Sequence, residues 1–540
     1  MSSSEPPSET PGVRLARSAS LTGAATLTSR VLGLARDQVL AALFGAGNDM
    51  DAFIVAFRIP NLVRDLFAEG AMSAAFVPAF TRHLTLHGRP AAWRLGNNVL
   101  NALLIVTAGL AVAGMIFARP LVTLYAGDFA SVPGKLELTI RLTRVMLPFL
   151  TMVAVAAVAM GMLNSLHHYF VPALSPAMFN VATIVCAIVL VPLMTPLGWP
   201  RIMAIAIAAL LGGLGQVLIQ WRPLSHEGFR YAPVFEPSDK GLRDVVVLMG
   251  PGTIGLAATQ VNIFVNTLLA TGQGTGAVSW LTYAFRLMYL PIGVFGVSIA
   301  TAVLPAVSRH AAVEDLAGIR TTVSRGLAMM LMLNVPATLG LLVLARPIVE
   351  LLFEHGRFVA ADTDATAAAL RLYAVGLVGY SAARIVSPTF YALRQSRIAV
   401  AAAVAAIAAN VVFSVSLVTV MGFRGLALGA SIAALANGGV LVVLLRQRLA
   451  GIEGKRLAIV STKIIAAAAA MAAGAWSIEH VMTGLVPGGQ LFARTVRLAA
   501  AIGGGVAILV AFAKVLRIDE LDEALSVLGA RFRMQRRAPM

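Results

Sequence analysis

Between about residue 20 and residue 516 the chain is one apolar run after another, each long enough to cross a bilayer and parted from the next by a short polar turn. A membrane-spanning helix needs about 20 consecutive apolar residues. The longest polar stretches are about the first dozen residues, the segment Arg222–Arg243 and roughly the last twenty. None is long enough to bury a core of its own. Charged residues make up 12% of the chain, against about 25% in soluble proteins, and the mean hydropathy is +0.83. The fold class is therefore an all-α polytopic membrane protein.

Fourteen transmembrane helices are expected, at 20–45, 51–84, 92–118, 136–164, 172–193, 201–222, 241–271, 276–308, 318–345, 363–392, 397–420, 424–449, 457–483 and 491–516. Residues 1–19 are polar, and disorder is expected there. They are not a signal peptide, because Arg30, Arg36 and Asp37 interrupt the first apolar segment. Residues 517–540 read as an amphipathic tail ending in the basic run 531–537, suited to a membrane surface. Connectors after even-numbered helices carry Arg82, Arg89 and Arg94, then Arg222, Arg230, Lys240 and Arg243, then Arg309 and Arg320, Arg394 and Arg397, and Arg446 to Arg456. The turns Gly45–Asp51 and Thr271–Gly276 carry no lysine or arginine. Both termini then face the cytoplasm. The same bias accounts for the net charge of +17 without a nucleic-acid partner. The single cysteine, Cys186, excludes a disulfide framework and a cysteine metal site.

The sequence also repeats itself. AFRIPNL from Ala56 resembles AFRLMYL from Ala284, and VPAFTRH from Val77 matches LPAVSRH from Leu304. ARPLVTLY from Ala118 matches ARPIVELL from Ala345, and Leu163 to Asn180 has the spacing of Leu393 to Asn410. A common offset in chain order is the mark of an internal repeat. The expected layout is an N-lobe at 20–222, a cytoplasmic connector at 223–240, a C-lobe at 241–449, and two further helices at 457–516. Two six-helix pseudo-symmetric lobes of this kind enclose a central site in transporters.

The informative residues are charges on apolar helices: Arg30, Arg36 and Asp37 on helix 1; Asp51, Arg58, Arg64, Asp65 and Glu69 on helix 2; Arg286 on helix 8; Arg384 on helix 10. Each costs at least about 2.5 kcal/mol at mid-bilayer, so such groups normally face a wet cavity. Arg58, Asp65 and Glu69 share a stripe of helix 2. Asp37 follows Arg36 directly and is not placed to face it along the helix. Guanidinium groups fork onto phosphate oxygens, so Arg30, Arg36, Arg58 and Arg286 are set to converge on a diphosphate. The alternative is that they pair with Asp37, Asp51, Asp65 and Glu69 and only lock helices together. Arg64 and Asp65 fit either the cavity or the membrane surface. Gly212, Gly213 and Gly215 suit close helix packing better than a phosphate loop, since no strand precedes them. His167 and His168 lack a third metal ligand. There is no Walker loop, no HExxH and no nucleophile–base motif, so no catalytic residue, metal or cofactor is expected.

SRVLGLARD (Ser29–Asp37), DAFIVAFRIPNLVRDLFAEGAMSAAFVPAF (Asp51–Phe80) and SWLTYAFRLMYLPIGVFGVSIATAVLP (Ser279–Pro305) resemble the lipid II flippase family MurJ, also called MviN, of the multidrug/oligosaccharidyl-lipid/polysaccharide transporter superfamily. The resemblance covers essentially the whole chain. It implies a flippase that moves undecaprenyl-diphosphate-linked disaccharide-pentapeptide, the peptidoglycan precursor, from the cytoplasmic to the periplasmic leaflet of a bacterial inner membrane; alternating access between the two lobes is the mechanism expected. It implies that Arg30, Arg36 and Arg286 meet the diphosphate and that Asp37, Asp51, Arg58 and Glu69 serve transport or gating. It implies that Arg384 partners Glu69, that helices 13 and 14 form a groove for the lipid tail, and that other cell-wall synthesis proteins and membrane lipids are its neighbours. Some relatives carry acids where this chain has Phe285 and Tyr289, and a coupling cation cannot be placed. Two rivals stand beside it: an exporter of another lipid-linked oligosaccharide, and a membrane enzyme acting on the same lipid. The enzyme would need a loop carboxylate such as Asp128, Glu350 or Glu354.

Overall fold

The computed structural model describes residues 11–65 and 71–522 and is helical throughout, with no strand among the described residues. The described chain forms two compact units, the first within residues 11–43 and 52–260, the second within residues 44–51 and 261–522. In chain order the helices are α1 (Pro11–Phe44), α2 (Asn48–Arg64), α3 (Ala71–Ile116), α4 (Ala118–Ala126), α5 (Lys135–Met146), α6 (Phe149–Ser165), α7 (Phe170–Leu174), α8 (Ala177–Met194), α9 (Met203–His226) and α10 (Lys240–Thr271). They continue as α11 (Ala277–Pro291), α12 (Val297–Ala312), α13 (Leu316–Phe353), α14 (Ala360–Val375), α15 (Leu377–Ala392), α16 (Ser396–Met421), α17 (Phe423–Arg448), α18 (Gly454–Leu485) and α19 (Leu491–Val515).

Nine helices among the described residues are long and apolar enough to span a membrane, ten if the bent pair α14–α15 counts as one. Fourteen were expected. Helices outside that set carry the charges or the breaks. Helix α1 holds Arg30, Arg36 and Asp37, α2 is 17 residues long, and α11 stops at Pro291, where a π turn, Ile292–Gly296, leads into α12. The first helix opens at Pro11, not residue 20, so residues 11–19 are helical. Of the helix expected over 51–84, the described residues belong to α2 up to Arg64 and to α3 from Ala71, and the break expected near 85–91 lies inside α3 as a kink at Gly88, φ 77°. Glycine takes that positive φ without penalty, and Pro90 two residues on has no N–H to donate.

In unit 1, Phe76, Phe80, Val158 and Met162 form the centre of the core between α3 and α6. Lipid is as apolar as leucine, so small residues that admit close approach decide such packing. A Cβ on Gly212 would lie 2.8 Å from the Phe179 Cα, and one on Gly213 would lie 2.9 Å from the Phe149 ring. With Gly215 against Met178, these three glycines seat α9 on α8 and α6.

The segment after α9 is bound along α3. Asn97 donates to the Arg230 carbonyl and accepts from the Ala232 amide, both at 3.0 Å. Asn98 does the same at the Glu236 carbonyl and amide, at 3.0 and 2.8 Å. Asn101 donates to the Ala232 and Val234 carbonyls at 2.8 and 2.9 Å and accepts from the Tyr231 hydroxyl at 2.8 Å. The expected connector therefore has its backbone groups satisfied by one helix face. Unit 2 does likewise after α17: Ser324 and Arg320 on α13 donate to the Ile452 and Leu449 carbonyls at 2.7 and 2.5 Å.

Unit 2 also contains the α18–α19 hairpin. Arg494 at the start of α19 pairs with Glu350 at 3.0 Å and Glu354 at 2.9 Å, at the end of α13. These two carboxylates are thus engaged as structural partners, while Asp128 sits exposed on the turn Gly127–Ser131.

Candidate functional site

Helix α1 brings Arg36 to the interior of unit 1. Its Nε and Nη2 donate to Asp37 Oδ1 at 3.1 and 2.7 Å, with both side chains largely buried. This corrects the expectation that Asp37 does not face Arg36. Neighbouring Cβ directions diverge by about 100° on a helix, but the long arginine stem bends round until its Nε edge meets the carboxylate. Nη1 donates to Asn180 Oδ1 on α8 at 2.9 Å, and the guanidinium lies over the Phe179 ring at 5.4 Å. Asn180 Nδ2 in turn donates to the Ser29 carbonyl, two turns earlier in α1, at 3.0 Å. Charge-assisted bonds of this kind are the strong ones, so Arg36 is held in one orientation.

Arg64 and Asp65 repeat the arrangement. Nε and Nη2 of Arg64 donate to Asp65 Oδ1 at 3.0 and 2.7 Å. The second carboxylate oxygen accepts from Gln260 Nε2 at 3.1 Å. Both arginines line a cavity of about 370 Å³, within the range of small-molecule sites. Its polar lining also includes Ser175, Asn180, Gln216 and Gln220, and its apolar lining includes Phe57 and Phe179. Arg64, for which the sequence left the membrane surface open, therefore shares the cavity with Arg36.

The other residues singled out by sequence are less concentrated. Arg58 is half-buried on α2 and Arg30 is exposed on α1. Glu69 lies outside the described residues. In unit 2, Arg286 is exposed on α11. Arg384 on α15 donates to the Tyr289 hydroxyl and lies over its ring at 5.4 Å. Asp51 is fully buried and caps α11: it accepts from the Gly276 and Ser279 amides at 2.8 and 3.0 Å and from the Ser279 hydroxyl at 2.7 Å. A carboxylate there also meets the positive end of the helix dipole. His167 and His168 are exposed, and His168 pairs with Glu227 at 2.8 Å. Among the described residues no cluster of three or more His, Cys, Asp or Glu is placed to hold a metal.

Sequence reasoning missed Asn180, Gln216 and Gln220. One signal was available for Asn180, which stands at the repeat position of Asn410. Asn410 Nδ2 donates to Asn262 and Asn266 of α10 at 2.5 and 3.2 Å, and Ser414 donates to Asn266 at 3.2 Å. The glutamines have no such signal, since a lone amide on an apolar helix reads equally as packing.

The profile described as lipid II flippase MurJ matches residues 40–496. The lipid II flippase MurJ of Burkholderia cenocepacia is 34% identical over 78% of this chain and 82% of its own. A Vibrio cholerae protein described as a probable lipid II flippase MurJ is 33% identical over 95% of this chain and 98% of its own. Among solved structures, a lipid II flippase MurJ in an inward closed conformation superposes with a TM-score of 0.75 at 24% identity, covering 93% of this chain and 99% of that one. An inward-facing multidrug resistance MATE transporter of the MOP superfamily gives 0.66 at 18% identity, covering 80% of this chain and 98% of that one; both likenesses concern the fold. With its profile matched over most of its length and relatives a third identical across nearly all of it, the chain belongs to the lipid II flippase MurJ family.

Proposed function

We propose that this chain is a lipid II flippase of the bacterial inner membrane, a transporter that performs no covalent step. The observation that carries the site assignment is the unit 1 cavity, whose lining combines Arg36 and Arg64 with neutral amides. A diphosphate presents oxygens to the guanidinium forks, and the carboxylates of Asp37 and Asp65 hold those forks in shape until it arrives. Arg30, Arg58 and Arg286 supply further positive charge along the route of the headgroup. Asp51, Glu69 and Arg384 serve the closing and opening of that route, with Asp51 acting through its cap on α11. The polyprenyl tail stays in lipid, along the α18–α19 hairpin. The positive loops put both termini in the cytoplasm. The membrane potential biases the step, since each net charge that crosses it is worth about 2.3 kcal/mol per 100 mV. The test is replacement of the native flippase by Arg36→Ala in cells depleted of lipid II flipping. Loss of precursor in the outer leaflet and lysis are expected. Normal translocation by the variant at wild-type abundance would overturn the assignment of Arg36 to the diphosphate.

A further inference from the structure

The segment after α9 runs out along α3 and comes back. Its backbone meets Arg89 at Glu227, Asn97 at Arg230 and Ala232, Asn101 at Ala232 and Val234, and Asn98 at Glu236. The Glu236 carboxylate then returns to Arg94 at 2.5 Å. The reversal is a three-residue turn about Pro233, closed by the Val234 amide donating to the Ala232 carbonyl at 2.8 Å. Its apex lies at the level of Asn101, seven residues beyond Arg94 and so about 10 Å further along the helix.

That level is where lipid begins. Helix α3 and the turn after it carry no charge between Arg94 and Arg119. A span needs about 20 apolar residues, and counted back from Arg119 these reach Val99. Just beyond, Ile105 and Val106 are exposed, as side chains that face lipid are. At this depth the loop presents rings rather than charge: Tyr231 and Phe235 are each 48% exposed, and Pro233 between them is exposed. Tyrosine gathers at membrane–water boundaries, where its ring is in apolar surroundings and its hydroxyl is bonded. Here the Tyr231 hydroxyl is held by Asn101. The charge around the loop is one-sided. Glu227 is taken by Arg89 and His168, Glu236 by Arg94, and Asp239 by the Leu242 amide. Arg222, Arg230, Lys240 and Arg243 are exposed, and among the described residues none of them makes an ion pair. Among those residues Asp244 is the one carboxylate of 222–244 outside such bonds.

We infer that residues 230–236 are a lipid-anchored loop, with Tyr231, Pro233 and Phe235 seated in the headgroup–acyl boundary and Arg222, Arg230, Lys240 and Arg243 holding anionic phospholipid headgroups around it. Rings at the boundary supply apolar burial, and unpaired cations beside them draw anionic lipid. The depth of the apex decides between lipid and a soluble protein as the occupant, because a protein partner needs this face in water. The segment expected as a cytoplasmic connector thereby ties the adjoining ends of α3, α9 and α10 to one leaflet, and its seating responds to lipid charge.

The experiment places an environment-sensitive fluorophore on the full chain in vesicles. Cys186, the single cysteine, is replaced by alanine, and labels are attached through Phe235→Cys, Pro233→Cys, Ser238→Cys and Val106→Cys in turn. Ser238 is exposed on the returning limb and reports water; Val106 reports lipid. In vesicles of phosphatidylethanolamine with phosphatidylglycerol, aqueous iodide is expected to quench the labels at 233 and 235 several-fold less than the label at 238. Lipids carrying a spin label high on the acyl chain are expected to quench 233 and 235, and those labelled deep in the chain to quench 106. Omitting phosphatidylglycerol is expected to raise iodide access at 235 about two- to threefold, and the combined change of Arg222, Arg230, Lys240 and Arg243 to glutamine is expected to remove that dependence. Iodide quenching at 233 and 235 equal to that at 238 overturns the anchor and leaves the face open to a protein partner. Shielding at 235 that ignores lipid charge in the wild-type background overturns the assignment of the four cations to anionic headgroups.

Discussion

Asn180 in unit 1 and Asn410 in unit 2 occupy corresponding places in the internal repeat, yet they serve opposite ends. Asn180 spends its carbonyl on the Arg36 guanidinium, which is already forked by Asp37, at the wall of a cavity. Asn410 donates to Asn262 and Asn266 within a cluster that includes Ser414 and carries no formal charge. The neutral cluster satisfies amides with amides and joins α16 to α10. The charged one places an ion pair where exchange with a ligand anion is possible. Each buried ion carries a desolvation penalty of several kcal/mol that good geometry must offset. Interhelical hydrogen bonds in membranes are worth only about 0.6 kcal/mol on average. A repeat that needed only helix packing would use the neutral solution twice. Unit 1 departs from it at this position, and that is where the headgroup chemistry is proposed.

The sharpest way to break this contrast is to remove one member of each cluster and compare stabilities. Asp37→Ala takes an anionic partner from a largely buried guanidinium, and breaking a buried pair in this way costs about 3–5 kcal/mol. Access from the cavity puts the expected loss at the lower end, about 3 kcal/mol. Asn266→Ala removes one neutral partner and is expected to cost about 1 kcal/mol. Thermal unfolding of both variants in the same detergent checks the ordering. Equal shifts in Tm for the two would mean that the charged cluster is no different in kind from the neutral one.

Asp51 sharpens the comparison from the other side, because it is a fully buried charge assigned to unit 2. Its carboxylate is consumed by two backbone amides and one hydroxyl at the start of α11. Asp51→Ala removes the cap and leaves the Gly276 and Ser279 amides without their acceptor. Caps of this type are worth about 0.5–2 kcal/mol, so about 2 kcal/mol is expected at this buried site. Asp51→Asn keeps one acceptor oxygen and is expected to recover about half of that. If Asp51→Asn matches Asp51→Ala in unfolding temperature, the negative charge rather than the hydrogen-bond count is what α11 requires.

The sequence made much of this architecture legible and left its details hidden for identifiable reasons. Apolar run length and loop charge were sufficient for an all-α membrane protein, because lipid imposes one solution on the backbone. The arginines stood out because charge on an apolar helix is rare. The Arg36–Asp37 fork did not, because helix geometry speaks of Cβ directions and not of a long side chain bending back. Arg64 was ambiguous for the same reason: its position on α2 says little about which wall its guanidinium reaches. Gln220 was invisible, since only the carbonyl partners of its amide nitrogen reveal the acceptor left over. The connector after α9 looked like a polar linker because its anchors, Asn97, Asn98 and Asn101, lie more than a hundred residues earlier.

That connector offers the gentlest test of how the two units differ. In unit 1 Glu227, just beyond α9, accepts from His168 at 2.8 Å and from Arg89 at 3.0 Å. In unit 2 Glu453 accepts from Thr321 at 3.0 Å and Arg456 at 3.2 Å. The hydrogen bond from His168, with the charges of His168 and Arg89, holds the Glu227 carboxyl below its ordinary range. A carboxylate depressed in the folded state contributes stability above its unfolded pKa of about 4.3 and loses it as pH falls through the folded value. Acidification below about pH 4.3 is therefore expected to loosen residues 227–236 slightly, by under about 1 kcal/mol for so exposed a pair. Hydrogen exchange of peptides covering 227–236 should quicken by a few-fold over that window, and Glu227→Gln should abolish the dependence while the asparagine anchors keep the segment in place. A pH dependence that survives Glu227→Gln would move the sensitivity to another group. A large effect, with exchange approaching that of an unanchored loop, would mean that the Asn97, Asn98 and Asn101 bonds depend on the Glu227 charge rather than holding the connector by themselves.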